Sequence, residues 1–301
     1  MSSLRTQWLD IAKALAIILM VIGHTSIPHF ASDFIYAFHM PIFFLASGWS
    51  TNWSKYSFGV FTKRRVKSLL IPYIIYSSIV VAISYLIDSS QIFSIAKGWQ
   101  GYALWFIVVL FIASIMSKII VDINNSVVQI LAAIVCLICG ALLSYFRVVL
   151  PWTLSTVPYA IFLILAGTYL RKYESYISNP RFQVFIICFF LVATISHFHR
   201  LDLAWNKILP VIPLTIGAIS GAAMVATISS YISNKVKWLS SLLTNIGKET
   251  YVIMAFSQLI IIILNKYFDL NPIYKYLSLV AILVVLVYSK NLIVSLFRKL
   301  N

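Results

Sequence analysis

A succession of long apolar runs, separated by short polar segments, is the feature that most constrains the fold of this chain. The runs occupy residues 9–28, 33–51, 69–88, 102–121, 127–146, 152–170, 182–199, 208–230, 249–268 and 273–293. A helix needs about 20 such residues to cross the hydrocarbon core of a bilayer. Charged residues make up only 10% of the chain, against about 25% in a soluble domain. We therefore predict an all-α integral membrane protein of about ten transmembrane helices, forming a single polytopic domain over residues 1–301.

The distribution of positive charge predicts how these helices are oriented. With a cytoplasmic N-terminus, sixteen of the 23 Lys and Arg residues fall in cytoplasmic segments, six fall in outer segments, and Lys13 lies inside the first run. Cytoplasmic loops carry an excess of these residues in membrane proteins, so both termini are predicted to be cytoplasmic. The net charge of +15 fits this topology, an anionic ligand at the cytoplasmic face, or both together, and no nucleic acid partner is expected.

Two histidines lie at similar predicted depths in the first two runs. At 1.5 Å per residue, His24 lies about 22 Å from the cytoplasmic side and His39 about 9 Å below the outer side. These levels nearly coincide in a hydrocarbon core about 30 Å thick. A short connection makes the two helices antiparallel neighbours, so both histidines are predicted to face one cavity in the outer half of the membrane. Ionisable groups at such depth are candidates for function; the alternative is that each merely packs two helices.

The remaining ionisable groups near these runs have more than one explanation. Asp10 is too far from His24 to pair with it, and a local ion pair with Arg5 or Lys13 is expected, since Lys13 lies three residues away on the same helical face. The basic residues at 63, 64, 65 and 67 fit phosphate binding, a topology signal or anionic lipid headgroups. Cys136 and Cys139 lie inside an apolar run, where packing is the simpler explanation, so no metal site is expected.

Several motifs together resemble the acyltransferase type 3 family of membrane O-acyltransferases. The first is R-x4-D-x2-K followed by Gly-His, carried here by Arg5, Asp10, Lys13, Gly23 and His24. The second is F-H-M-P-x-F-F-x-x-S-G over residues 38–48, which includes His39 and Ser47. Supporting matches are the basic run leading into Leu-Leu-x-Pro-Tyr, which ends at Tyr73, and the Leu-Trp-Phe motif around Trp105. The resemblance covers essentially the whole chain. No appended soluble domain is expected, which resembles the shorter members of the family, including those similar to fucose O-acetylases.

The resemblance implies an acyl-CoA donor, usually acetyl-CoA, on the cytoplasmic side and a hydroxyl acceptor on a sugar or a lipid-linked glycan. The family's histidine of the first span falls on His24, and its arginines that approach CoA phosphates fall on Arg64 and Arg65. We take His24 and His39 as catalytic candidates. The donor-binding candidates are Lys63, Arg64, Arg65, Lys67, Tyr73 and Trp105, and the supporting ones are Arg5, Asp10, Lys13 and Ser47.

Two departures from the family pattern concern the site. Ser68 stands where relatives often carry Arg, and Ser257 or Gln258 stands where they often carry a histidine in the ninth span. A role for a histidine in that span is therefore in doubt for this chain, and either residue is a candidate replacement.

The expected function is transfer of an acetyl group from cytoplasmic acetyl-CoA to a cell-surface glycan or its lipid-linked precursor. The resemblance also implies a bacterial cell envelope, with the protein in the inner membrane among membrane lipids. A buried histidine would serve as general base, or would carry the acyl group itself. The alternative is a polytopic transporter or flippase for an anionic lipid-linked sugar, although such proteins favour internal repeats that are not visible here.

Overall fold

The computed structural model describes residues 4–87, 102–174 and 181–300, and this part of the chain is built from helices. The α-helices are α1 Leu4–Gly23, α2 His29–Tyr36, α3 His39–Ser50, α4 Phe58–Arg65, α5 Ile71–Ile87, α6 Trp105–Asp122, α7 Ser126–Tyr145, α8 Val157–Leu170, α9 Phe182–Phe198, α10 Val211–Lys235, α11 Lys237–Lys248, α12 Thr250–Tyr267 and α13 Pro272–Leu300. Short 3-10 turns lie between several of them, including Pro151–Thr156 and Leu203–Trp205.

Eight helical segments of the described chain are long and apolar enough to cross a membrane. The apolar helix α9 is shorter, with 17 residues, and α1 has 20. Each of the ten predicted runs overlaps one of these segments, but α1 begins and ends five residues before the first predicted run, so His24 lies just past its end and not inside it. The prediction of an all-α integral membrane protein is therefore confirmed, while the cytoplasmic position of the termini stays a prediction.

The burial pattern separates central helices from peripheral ones. In α3, ten of the twelve residues are buried, and α8 is buried along most of its length. In α7, by contrast, Gly140 is the buried residue, and the exposed side chains are mostly Val, Leu and Ile. Exposed apolar side chains at this density suit contact with lipid. Hence α3, which begins with His39, lies at the centre of the bundle.

Two glycines bring α3 and α8 into direct backbone contact. A Cβ atom on Gly48 would lie 1.9 Å from the carbonyl oxygen of Ile164, and one on Gly167 would lie 2.1 Å from that of Leu45. Small residues at such crossings allow close packing of membrane helices. This contact fixes the position of α3, and therefore of His39, relative to α8.

The second apolar run is not one continuous helix, as the predicted span 33–51 implied. It is interrupted at Ala37 and Phe38, and α3 begins at His39. Pro41 explains the interruption, because a proline inside a continuous helix removes one hydrogen bond and clashes with the preceding turn, whereas the first turn of a helix tolerates it. His39 therefore lies at the N-terminus of α3, at a break within the candidate span His29–Ser50.

A π-helical turn, Val66–Leu70, joins α4 to α5 directly after Arg65 and contains Lys67. The hydroxyl of Tyr251 in α12 donates a hydrogen bond of 2.8 Å to the carbonyl oxygen of Leu69 within this turn. Single π-helical turns are frequent at functional sites. The turn thus ties the basic segment to a helix that is distant in sequence.

Candidate active site

His24 and His39 line one cavity of about 470 Å³, here called the histidine cavity. Its walls come from the end of α1, the α2–α3 junction, the start of α6, the segments 148–156 and 201–206, and α12. His39 is buried and His24 is half-buried. The prediction that the two histidines share a cavity is confirmed.

Each histidine is held by a carbonyl group in the last turn of the preceding helix. The Nδ1 atom of His24 lies 2.7 Å from the carbonyl oxygen of Met20, and that of His39 lies 2.9 Å from the oxygen of Ile35. Carbonyls in a last helical turn have no partner within the helix. Since a carbonyl only accepts, Nδ1 carries the hydrogen in both rings. In the neutral imidazole, Nε2 is then the basic nitrogen.

Tyr36 lies between the two histidines. Its ring centroid is 6.0 Å from that of His24 and 5.0 Å from that of His39. The guanidinium carbon of Arg200 lies 4.0 Å from the centre of the Tyr36 ring, and Arg200 also forms an ion pair with Asp33. This cation–π contact and ion pair connect the α9–α10 loop to α2, and so hold the wall of the histidine cavity together.

Asp202 supplies a carboxylate to the same cavity. One of its oxygens accepts a hydrogen bond from the backbone N–H of Ala204, at 3.2 Å. Burial raises the pKa of Asp202, and the positive charge of Arg200 opposes that rise. The cavity thus combines two imidazoles, a phenol and a carboxylate.

A second cavity, of about 630 Å³ and here called the basic cavity, lies at the other end of α3. Four cationic residues line it, namely Lys55, Arg64, Arg65 and Lys67. None of them takes part in the ion pairs of the described residues. Such a concentration of unpaired positive charge favours an anionic ligand.

Neighbouring aromatic and hydroxyl groups position the two arginines. The guanidinium carbon of Arg64 lies 4.5 Å from the centre of the Tyr56 ring, and that of Arg65 lies 5.1 Å from the Phe61 ring. Arg65 also donates a hydrogen bond of 2.9 Å to the hydroxyl of Thr51. The planar guanidinium fork suits phosphate recognition.

A smaller cavity of about 180 Å³, the middle cavity, lies between the other two. It shares Ser50 and Arg65 with the basic cavity. Met254 lines the middle cavity, and Gln258, one turn further along α12, lines the histidine cavity. Only about 6 Å of helix separates these two residues. The rings of Phe43 and Phe106 also line the middle cavity, and their centroids are 5.6 Å apart.

The other candidates from the sequence occupy several environments. Lys13 and Ser47 line the middle cavity. Trp105 lines the histidine cavity. It was grouped with the donor-binding candidates, of which Arg64, Arg65 and Lys67 line the basic cavity instead. Lys63 is exposed and is not among the residues that line the basic cavity.

Three further candidates lie in α1 and α5. Asp10 forms an ion pair of 2.6 Å with Lys13, as predicted. Arg5 lies near the start of α1. Tyr73 is buried in α5, with its ring centroid 6.4 Å from that of Trp152.

The two candidates for the missing histidine are separated by the structure. Gln258 lines the histidine cavity, whereas Ser257 is fully buried and is not among its lining residues. Gln258 is therefore the residue that shares a cavity with His24 and His39.

Sequence reasoning missed several residues that line or support the two cavities. Lys55, Tyr36, Arg200, Asp202 and Asn206 belong to this group. For Lys55 a signal was available, since it lies in the same predicted cytoplasmic segment as the basic run. Arg200, Asp202 and Asn206 share the α9–α10 loop, and a single sequence does not show that this loop packs beside Tyr36 and the histidines.

A family model described as an acyltransferase domain, Acyl_transf_3, matches residues 6–292. Neither curated proteins nor solved structures gave a match. The family match covers nearly the whole chain and the helices that form all three cavities. The protein is thus a multi-pass membrane acyltransferase, and the chain belongs to the acyltransferase 3 family.

Proposed function

We propose that the protein transfers an acetyl group from acetyl-CoA, bound at the basic cavity, to a hydroxyl group of a glycan or lipid-linked sugar in the histidine cavity. The observation that carries this proposal is the placement of a base and a set of unpaired cations at opposite ends of α3. Ser50, at one end, is eleven residues from His39, or about 16 Å along the helix. The proposed setting is the inner membrane of a bacterial envelope.

Positive charge is the evidence that the acetyl-CoA donor binds at the basic cavity. CoA carries several phosphate groups, and Arg64, Arg65, Lys55 and Lys67 are available to bind them. Charge-assisted hydrogen bonds from guanidinium groups to phosphates are among the strongest in proteins. The nucleotide therefore stays at the basic cavity, where no carboxylate among the described residues competes for these cations.

The middle cavity offers a route for the acylated pantetheine arm. It adjoins the basic cavity at Arg65 and reaches Met254, one helical turn from Gln258 in the histidine cavity. An extended arm covers about 20 Å, which is comparable to the length of the helix between the two ends. The Phe43 and Phe106 rings line this route.

His24 is the proposed general base. Its Nε2 takes the proton from the acceptor hydroxyl while the hydroxyl oxygen attacks the thioester carbonyl carbon. The carbon–sulfur bond then breaks, and the CoA thiolate receives the proton from the imidazolium. The hydrogen bond from Nδ1 to Met20 keeps Nε2 as the basic nitrogen. A relay in which Nε2 itself becomes acetylated uses the same geometry.

The test is acetyl transfer by the purified full-length protein in lipid nanodiscs. Acetyl-CoA labelled in the acetyl group is supplied with glycolipid acceptors extracted from the producing cells. We expect free CoA to appear in proportion to labelled glycan. If neither CoA release nor labelled glycan is seen, while the protein reconstituted into sealed lipid vesicles carries a lipid-linked sugar across the bilayer, the results favour the transporter function.

Loss of either arginine is expected to weaken donor binding. In Arg64→Ala and Arg65→Ala, the KM for acetyl-CoA should rise about 10-fold or more, because each change removes a hydrogen bond to a charged group. The rate at saturating donor should change little. Initial rates over a range of acetyl-CoA concentrations check both values.

Lys172→Ala is the matched control, since Lys172 is an exposed cation outside the basic cavity whose amine lies 5.1 Å from the centre of the Tyr169 ring. If Arg64→Ala and Arg65→Ala have the same KM for acetyl-CoA as Lys172→Ala, the basic residues act only as a topology signal.

A further inference from the structure

Asn206 presents a buried side-chain amide without a partner. It is 4% exposed and lines the histidine cavity. Neither its amide nitrogen nor its amide oxygen has a hydrogen-bond partner among the described residues. Leaving a buried polar group unpaired costs about 1–3 kcal/mol, and such groups in native proteins call for an explanation.

The loop that carries Asn206 is tightly held. Asp202 and Lys207 exchange two backbone hydrogen bonds, of 3.0 and 2.8 Å. The hydroxyl of Thr156 donates to the carbonyl oxygen of Leu203 at 2.6 Å, and the backbone N–H of Ile208 donates to the hydroxyl of Ser144 at 3.3 Å. The unpaired amide is therefore part of a fixed wall.

The backbone explains the residue type at this position but not the place of its side chain. Asn206 has a positive φ of 49°, a conformation in which asparagine is enriched. Asn124 has a φ of 54° for the same reason, yet it is exposed to solvent. Burial of the amide against a cavity is thus a separate property of Asn206.

Three other groups around the same cavity complement this amide. The amide oxygen of Gln258 is also buried without a partner among the described residues. Asp202 adds a carboxylate, and Trp205, 67% exposed, adds an aromatic face. Together they offer both donors and acceptors beside an aromatic surface.

A sugar ring matches this set better than a simple alcohol does. Each ring hydroxyl both donates and accepts a hydrogen bond, and one face of the ring carries C–H groups that pack on an aromatic side chain. A simple alkyl alcohol has one hydroxyl, which the reaction itself consumes, so it would leave both amides unpaired.

We propose that Asn206 and Gln258, with Asp202, bind the hydroxyl groups of a sugar ring that neighbour the one to be acylated, while Trp205 packs against the ring face. This subsite rests on the proposed function, because it identifies the groups that would recognise a glycan acceptor. It makes Asn206 and Gln258 specificity-determining residues, distinct from the base His24.

The test measures binding without turnover. Methyl glycosides of glucose, galactose, fucose and N-acetylglucosamine are titrated onto the full-length protein in nanodiscs, without acetyl-CoA, by saturation-transfer NMR. We expect at least one glycoside to bind, n-butanol to give no comparable signal, and the dissociation constant to rise about 3- to 10-fold in Asn206→Gly and in Gln258→Met. Glycine keeps the positive φ, and methionine keeps the length of the side chain.

Asn124→Gly is the matched control, because it makes the same backbone change at an exposed asparagine. It should bind the glycoside as the unmodified protein does. The subsite is refuted if no methyl glycoside binds to the unmodified protein, or if Asn206→Gly and Gln258→Met bind the sugar unchanged. Failure of the proposed function is a different result, namely glycoside binding that persists without any acetyl transfer.

Discussion

Replacing His24 with alanine is expected to reduce acetyl transfer by about 10²–10⁴-fold, the usual contribution of a general base. The loss is larger if His24 carries the acyl group. The physical reason is that Nε2 of His24 is the basic nitrogen presented to the histidine cavity, with Nδ1 bonded to Met20. Labelled acetyl transfer at saturating acetyl-CoA measures the effect.

Further variants distinguish the loss of the basic nitrogen from a disturbance of the cavity around it. His24→Asn keeps a donor that can reach the Met20 carbonyl but has no basic nitrogen, so it should be as inactive as alanine. His39→Ala should lose less activity, because it disturbs the cavity and the setting of His24. His29→Ala is the control, since His29 is exposed at the start of α2.

Size-exclusion profiles in detergent show whether each variant remains folded. A folded His24→Ala protein with near-normal transfer would refute the mechanism and favour the transporter function.

Gly48→Ala is expected to destabilise the protein by about 3 kcal/mol or more, at the upper end of the cost of overpacking. The added Cβ would meet the carbonyl oxygen of Ile164 at 1.9 Å, which is backbone that cannot turn away. Helices α3 and α8 would have to separate, and the next contact, between Gly167 and Leu45, would open with them. The midpoint of thermal unfolding in detergent measures the loss.

Gly59→Ala is the matched control for this change. Gly59 lies in α4, and a Cβ there would meet nothing within 4 Å. Alanine at an exposed helical position is favoured over glycine by about 1 kcal/mol, so this variant should be unchanged or slightly more stable. Equal unfolding midpoints for the two variants would show that the α3–α8 contact adapts to a side chain.

Much of the fold could be predicted because the hydropathy of each run determines its structure without reference to distant parts of the chain. A helix in lipid must satisfy its own backbone hydrogen bonds, so each apolar run of sufficient length specifies a helix wherever it lies in the chain. Spacing along a helix is equally local, which is why the pair of Asp10 and Lys13 was predictable. The shared cavity of His24 and His39 was predicted from the rise per residue and a short connection.

The features that were not predicted depend on small backbone changes or on distant parts of the chain. Pro41 was a visible signal for the break before α3, but the π-helical turn at Val66–Leu70 has no such marker. Asn206 and Gln258 are 52 positions apart in the sequence and line one cavity only because of the tertiary fold. Proximity of this kind is set by tertiary structure, which hydropathy does not encode.

The thin layer of protein between the middle and histidine cavities has an electrical consequence. Where water fills the cavities on either side, the membrane potential falls mainly across the protein that separates them, near the turn of α12 between Met254 and Gln258. Moving one elementary charge through the full potential requires about 2.3 kcal/mol per 100 mV. Under the proposed function, an acyl thioester enters this layer without charge, and the phosphates remain with Arg64 and Arg65. Delivery of the acyl group then requires no work against the membrane voltage.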